Sequence, residues 1–354
     1  MAPIARSLPR ALRYAAALIP TLAAVGAAQQ RHTLRGADVA VYNLAGRITV
    51  EAGTGPDVVV EVTPRGSDAG RLTVDAGSLD GRSSLRVRYP GDRIVFRGEG
   101  QGGGSRTSVR VDDEGRFGHV DGGRRVEITS SGSGLDASAD VRVRVPAGKR
   151  VALYLAVGEA SVTNVASDLV VDVSAARVTT SGTRGRLELD TGSGGVQVSD
   201  HEGDLAVDAG SGGIRLERVK GATLTFDTGS GGIAGSDITA TRVDFDTGSG
   251  GVRLRALRAS DIRVDAGSGS VELGLLGDVE NLEVDTGSGG VTIAVPSTLG
   301  AELSIDVGSG GIESEIPLEV TRRSRRELSG RIGDGKGRIQ IETGSGGVRL
   351  TKAG

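Results

Sequence analysis

The chain has 354 residues, 59 of them glycine and none cysteine, which excludes disulfides, thiolate metal centres and a lipid-modified N-terminal cysteine together. A net charge of −3 argues against a nucleic-acid partner, and an aromatic content of 2% leaves few of the platforms on which sugars stack. Glycine at this level indicates disorder when it is scattered, but here it recurs with a period.

Residues 1–28 read as a signal peptide. Arg6, Arg10 and Arg13 precede an apolar run from Tyr14 to Ala24, and the small residues Gly26, Ala27 and Ala28 follow, so cleavage would start the mature chain at Gln29. The run is broken by Pro20 and is shorter than the roughly 20 residues a spanning helix needs. An exported protein without a transmembrane segment is expected, placed in the periplasm, on the cell surface or outside the cell.

Residues 29–150 are expected to form a β-rich cap or small sandwich. The runs VYNLAGRITVEAGTGPDVVVEVTPRG and RLTVDAGSLDGRSSLRVRYPG alternate with period two between glycines and prolines. A glycine-rich excursion near 98–124 reads as mobile, and VRVRVPAG at Val141 leads into the repeats.

The repeats define the fold class: an all-β, parallel, single-stranded β-solenoid over 151–354 with rungs of about 19 residues. The phrase DTGSGGV or a close variant starts at Asp190, Asp208, Asp227, Asp246, Asp265, Asp285, Asp306 and Glu342, with weaker copies around Asp172 and Val157. In LELDTGSGGVQV, Leu187, Leu189, Thr191 and Ser193 share one parity while Val196 and Val198 share the other. A change of parity at a Gly-Gly pair predicts a corner, with glycine supplying backbone angles that other residues resist. Around ten rungs would make a rod roughly 45–50 Å long. The 36-residue interval before Glu342 contains TRRSRRELSGRIGDGKGR, with Arg322, Arg323, Arg325, Arg326, Arg331, Lys336 and Arg338. It reads as a charged loop at 321–338 protecting the last strand edge.

Two motifs invite catalytic readings and a third a metal-binding one. FDTGSGG at Phe226 and Phe245 resembles the active-site loops of aspartic proteases, but a phrase repeated at solenoid spacing stacks along one side of a rod and builds no facing lobes. Ser193, Ser211, Ser230, Ser249, Ser268, Ser288, Ser309 and Ser345 are equivalent, and His32, His119 and His201 lie far apart in sequence, so no serine–histidine–acid set is indicated. The aligned acids Asp190, Asp208, Asp227, Asp246, Asp265, Asp285 and Asp306 have two readings. They form either a calcium-binding ladder or Asx-type turns, each Asp accepting a corner N–H. No catalytic, cofactor or metal residue is assigned, with calcium as the competing reading.

The segments VYNLAGRITVEAGTGPDVVVEV, VRVRVPAGKRVALYLAVGEASVTNV, the GSGGV rungs and GDGKGRIQIETGSGGVRL together resemble a bacterial domain-of-unknown-function family of adhesin-like β-strand repeat proteins. The resemblance spans most of 36–354 and implies an exported or membrane-associated β-solenoid with no established reaction. The expected function is therefore an exported, non-enzymatic structural or interaction protein of the bacterial envelope. Gln197, Arg215, Arg253, Glu272, Thr292 and Glu313 would face outward toward a protein or an envelope or extracellular polymer. The alternatives are a polysaccharide-active β-helix enzyme and a calcium-dependent surface protein.

Overall fold

The computed structural model describes residues 29–98, 105–118 and 122–353, so the signal-peptide reading of 1–28 lies outside the described residues. Among these, no helix is long and apolar enough to cross a membrane.

The central repeats stack as in-register parallel rungs, each of two strands. Leu187–Ser193 and Val196–Glu202 form one rung, and Leu205–Ala209 and Ile214–Lys220 form the next. Because every rung has its apolar residues at the same two parities, stacking makes continuous buried ladders. One runs Leu187, Leu205, Leu224, Val243, Ile262 and Leu282, and a second on the other leg runs Val196, Ile214, Ile233, Val252, Val271 and Val291. Phe226 and Phe245 stack at 5.1 Å in a third, the two rings nearly parallel at 13°. Burying each such side chain stabilises by about 1.5–3 kcal/mol, but only when a neighbouring rung covers it.

The Gly-rich corner meets the expectation only in part. Gly194, on the first GSGG rung, has φ 128°, but Gly231 and Gly232 do not lie in the left-handed region, so on their rung backbone angle is not what demands glycine. A Cβ at Gly231 would fall within the van der Waals envelope of the Gly212 carbonyl on the rung before, while one at Gly232 would stand 3.2 Å from the Gly251 oxygen. Close backbone approach between rungs excludes side chains at the first of the pair. The opposite corner holds left-handed residues other than glycine: Asn164, Asp200, Arg218, Asp237 and Ala256 have φ between 53° and 56° in register, with Gly182 at 66°.

The stacking begins well before residue 151. Asp38–Ala52 pairs in parallel with Arg150–Thr163 along both legs, from Val39 opposite Val151 to Glu51 opposite Thr163, and is itself a rung. Beyond it lie two separate parallel segments, Arg82–Arg88 under one leg and Ser138–Val145 under the other. Antiparallel strands then close the end: Thr73–Leu79 on Arg82–Arg88, Val58–Arg65 on Ser138–Val145, and Gln30–Leu34 outermost. A buried network ties this cap to its rung. The Tyr89 hydroxyl lies 2.7 Å from Asn43 Oδ1 and 2.9 Å from the Ala45 carbonyl, and Asn43 Nδ2 donates to Ala139 O at 2.8 Å.

The described part of the excursion read as mobile is folded. Arg106–Val111 pairs antiparallel with Arg124–Thr129 in a small separate sheet, and Phe117 is buried edge-on against Tyr42 and Tyr154. The segment read as a charged loop at 321–338 is a hairpin. Its strand Glu327–Ile332 lies antiparallel on Ala301–Val307, and Glu319–Arg323 forms the outer edge.

The long interval before Glu342 now has a geometric explanation. The strands Gly337–Thr343 and Val348–Lys352 insert between the 281–295 rung and the 301–314 rung, pairing in parallel with both. The chain skips a level, builds the terminal rung and its hairpin, and returns to fill the gap.

Candidate interaction surface

The aligned acids occupy one register position on the outer face. In spatial order they are Asp172, Asp190, Asp208, Asp227, Asp246, Asp265, Asp285, Glu342 and Asp306, the insertion having placed Glu342 between its two neighbours. Adjacent rungs are about 4.8 Å apart, where two unit charges repel by about 0.9 kcal/mol in water. Asp208, Asp227, Asp246, Asp265, Asp285 and Asp306 make no ion pair among the described residues. Partial burial, reinforced by Asp246 and Asp208, raises the Asp227 carboxyl above its usual range; Asp246 and Asp285 rise for the same two kinds of cause, with the Arg263 guanidinium opposing part of the rise.

The Asx-turn reading is corrected at these corners. In the Asp227, Asp246 and Asp285 rungs the next residue makes the turn: Thr228, Thr247 and Thr286 are buried, and each Oγ1 accepts from the glycine N–H three residues on at 3.0–3.1 Å. The same hydroxyls donate to the preceding rung's carbonyls at Gly212, Gly231 and Gly269, at 3.0–3.2 Å. The Asp is thereby left to the outer surface. A Thr directly before Gly-Ser-Gly was the available signal, since Ser and Thr make such turns as Asp does. Among the described residues, no group of three or more His, Asp or Glu side chains is placed to hold a metal ion.

Asp227 and Asp246, from the two FDTGSGG copies, are register partners on adjacent rungs with Phe226 and Phe245 directed into the core. They are two steps of a longer exposed ladder. The repeated serines are all exposed at the corner beside it. His32 lies in the outermost N-terminal strand, His201 is buried among the repeats, and His119 lies outside the described residues.

His201 continues the inward ladder of Val165, Thr183, Val219 and Ile238. It is 2% exposed, its Nδ1 lies 2.9 Å from Thr183 Oγ1, and its Nε2 has no hydrogen-bond partner among the described residues. Burial lowers its pKa, since a charged imidazolium is poorly solvated there.

The second outward row follows the Gly corner: Gln197, Arg215, Ala234, Arg253, Glu272, Thr292, Arg349 and Glu313 are in register. It largely neutralises itself. Arg253 makes a bidentate pair with Glu272 at 2.7 and 2.9 Å, and Arg349 pairs with Glu313 at 2.6 Å. Exposed pairs of this kind contribute at most about 1 kcal/mol each. The two rows therefore differ in character, one being mixed and self-paired and the other a single-sign line.

No curated protein matches the chain. Two solved structures align along most of it. One is described as a "putative cell adhesion protein" from Clostridium sporogenes, at 8% identity over 92% of this chain and 99% of that one, with a TM-score of 0.23. The other is described as a "putative adhesin" from Parabacteroides distasonis, at 10% identity over 91% and 96%, with a TM-score of 0.42. The Toastrack DUF4097 family matches residues 107–351, which covers well over half of the sequence and includes every GSGG rung, and the chain belongs to that family.

Proposed function

We propose that the protein is an exported, non-enzymatic scaffold of the bacterial envelope that offers a regular line of carboxylates to a repeating partner. The observation that carries this reading is the acid ladder from Asp208 to Asp285. Equivalent groups stand at one register position on successive rungs, and among the described residues none of them makes an ion pair, the charge of Arg263 acting on Asp246 and Asp285 only from farther off. Catalysis needs unlike groups converging at one point, whereas a rod that presents the same group at each step suits recognition by repetition, where weak contacts sum along a polymer or protein surface. The adhesion-related descriptions of the two aligned structures agree with this reading but carry no weight in it, given their low similarity. A polysaccharide-active site would instead require an acid pair in a groove, with an aromatic or basic surround.

Two experiments test the proposal. First, a reporter active only after export, fused behind residues 1–28, should be active; an inactive fusion would remove the exported half of the reading. Second, the chain from Gln29 should co-sediment with isolated bacterial envelopes, and the triple variant D227N/D246N/D285N should bind several-fold more weakly without a lower melting temperature. Unchanged binding by that variant, or release of reducing sugars from envelope polysaccharide by the parent, would overturn it.

A further inference from the structure

The closing rung sits in a slot whose two walls are made by earlier parts of the chain. Gly337–Thr343 pairs with Asn281–Thr286 on one side and Ala301–Val307 on the other; Val348–Lys352 does the same between Val291–Val295 and Ile312–Ser314. The walls are therefore complete in sequence before the segment that fills them is reached. The connection into the slot is a short turn at 333–336, with Gly333 at φ 55° and Gly335 at φ 71°.

The slot also selects what can enter it. Ile339, Ile341, Val348 and Leu350 must be apolar, because each is at most 2% exposed; the first three lie between apolar residues of both walls and Leu350 between Ile293 and Ser314. A Cβ on Gly346 would overlap the Gly289 carbonyl of one wall, and a Cβ on Gly310 of the other wall would overlap Gly346 O, so both backbones close tightly on that glycine. Thr343 Oγ1 accepts from Gly346 N at 3.0 Å and donates to Gly289 O at 3.0 Å. An extended segment of apolar alternation with Thr-Gly-Ser-Gly-Gly at the corner meets all of these demands, and a second copy of residues 337–352 reproduces every contact.

We propose that this slot is a strand-acceptor site whose occupant can be the 337–352 segment of a second copy of this chain, so that two molecules join by exchanging their closing rungs. The short 333–336 turn acts as the hinge, and while the segment is out Ala301–Val307 keeps its antiparallel partner Glu327–Ile332 and the 281–295 rung keeps the stack beneath it. Exchange conserves the paired backbone groups, so the closed monomer and the exchanged dimer differ chiefly in the entropy of association and in the hinge.

The test begins with the full chain carrying a protease site inserted in the 333–336 turn. After cleavage in the folded state, the protein is denatured and refolded with a tenfold excess of fluorescent peptide 333–354. Mass action should place the labelled peptide in most slots, while a Gly346→Val peptide should be taken up at least about tenfold less. Equal uptake of the two peptides, or no uptake by a chain that regains its β-rich spectrum, overturns the acceptor site. In parallel, two uncut, differently tagged copies are refolded together at high concentration. Mixed dimers that persist on dilution, and that a Gly346→Val version of both copies fails to form, support exchange; monomers alone overturn the second-copy occupant.

Discussion

The middle of the rod and its two ends obey different rules. From Leu187 to Val295 the order of rungs in space is the order in sequence, and each rung before the 281–295 one is covered by its immediate successor. At both ends that order breaks. Asp38–Ala52, early in the chain, is enclosed by the later segments Arg82–Arg88 and Ser138–Val145; Gly337–Thr343, late in the chain, is enclosed by the earlier Ala301–Val307. In each case the outermost parallel rung is then covered by antiparallel strands, Thr73–Leu79 and Val58–Arg65 at one end and Glu327–Ile332 at the other. A stack of parallel rungs leaves open edges ready to recruit another chain, and both ends meet the problem by interleaving the terminal rung and reversing strand direction outside it.

This contrast is breakable by mutation, most strongly at the stacked glycines. Gly231→Val in the middle and Gly346→Val at the end create the same local overlap. The first should cost more than about 4 kcal/mol and abolish the cooperative melt, because it separates rungs with stacks on both sides. The second should remove hydrogen-exchange protection only around 301–352. Equal global loss in both would show that the ends are not independent of the middle.

At the N-terminal end the cap adds a polar tie to a glycine contact, Gly46 of the rung closing on the Ala139 carbonyl of the cap strand. Tyr89→Phe leaves Asn43 Oδ1 and the Ala45 carbonyl without their buried donor and should cost about 1–3 kcal/mol, read as a lower denaturant midpoint. An unchanged midpoint would mean that strand pairing and packing hold the cap to its rung without this polar tie.

Within the middle, His201 is a polar intrusion in an apolar ladder. Its pKa is lowered in the folded state from 6.5, so the stability it permits is present above that value and is lost as pH falls below it, the unfolded chain taking up the proton first. Thr183→Val/His201→Val should therefore stabilise by about 1–2 kcal/mol at neutral pH and remove the loss on acidification below 6.5. Thermal melts from neutral pH down to 5 would show a parent and variant with the same slope if this account were wrong.

The smallest expected effect belongs to the acid ladder and has the opposite sign with pH. Asp246 has a raised folded pKa, so the folded state binds its proton more readily; stability is greater below the unfolded value and declines as pH rises through the folded one. Asp246→Asn should raise stability by a few tenths to about 1 kcal/mol at neutral pH and leave it nearly unchanged near pH 3. A variant less stable than its parent at neutral pH would show that the carboxylate has an attractive partner.

The regular core was legible in advance because a solenoid rung is a local object. Leu187, Leu189, Val196 and Val198 alternate within one period, and the next period repeats them, so both the apolar ladders and the parallel stacking follow from spacing alone. The row of aspartates was visible for the same reason, and its members do align. The assignment of the turn to those aspartates failed because Asp and Thr are adjacent and both make such turns; which one faces inward is decided by parity relative to the core, and Thr247 shares the parity of Phe245.

The αL corner carried a sequence signal as well, a polar or glycine residue before an inward one in Asn164-Val165, Asp200-His201 and Asp237-Ile238, hidden by the varied residue types at that position. The sequence by itself thus determined the solenoid, its period, its buried faces and its acid ladder, all of which depend on contacts between residues about 19 positions apart. Only the tertiary structure decided that residues 38–52 are a rung, that 106–118 pack down on Tyr42 and Tyr154, and that Glu342 stands between Asp285 and Asp306. Those placements join segments separated by 36 to more than 100 residues, and no local pattern records them. A rung-like segment fits any open rung edge equally well by its own pattern, so where it settles is decided by which edge the rest of the chain leaves uncovered.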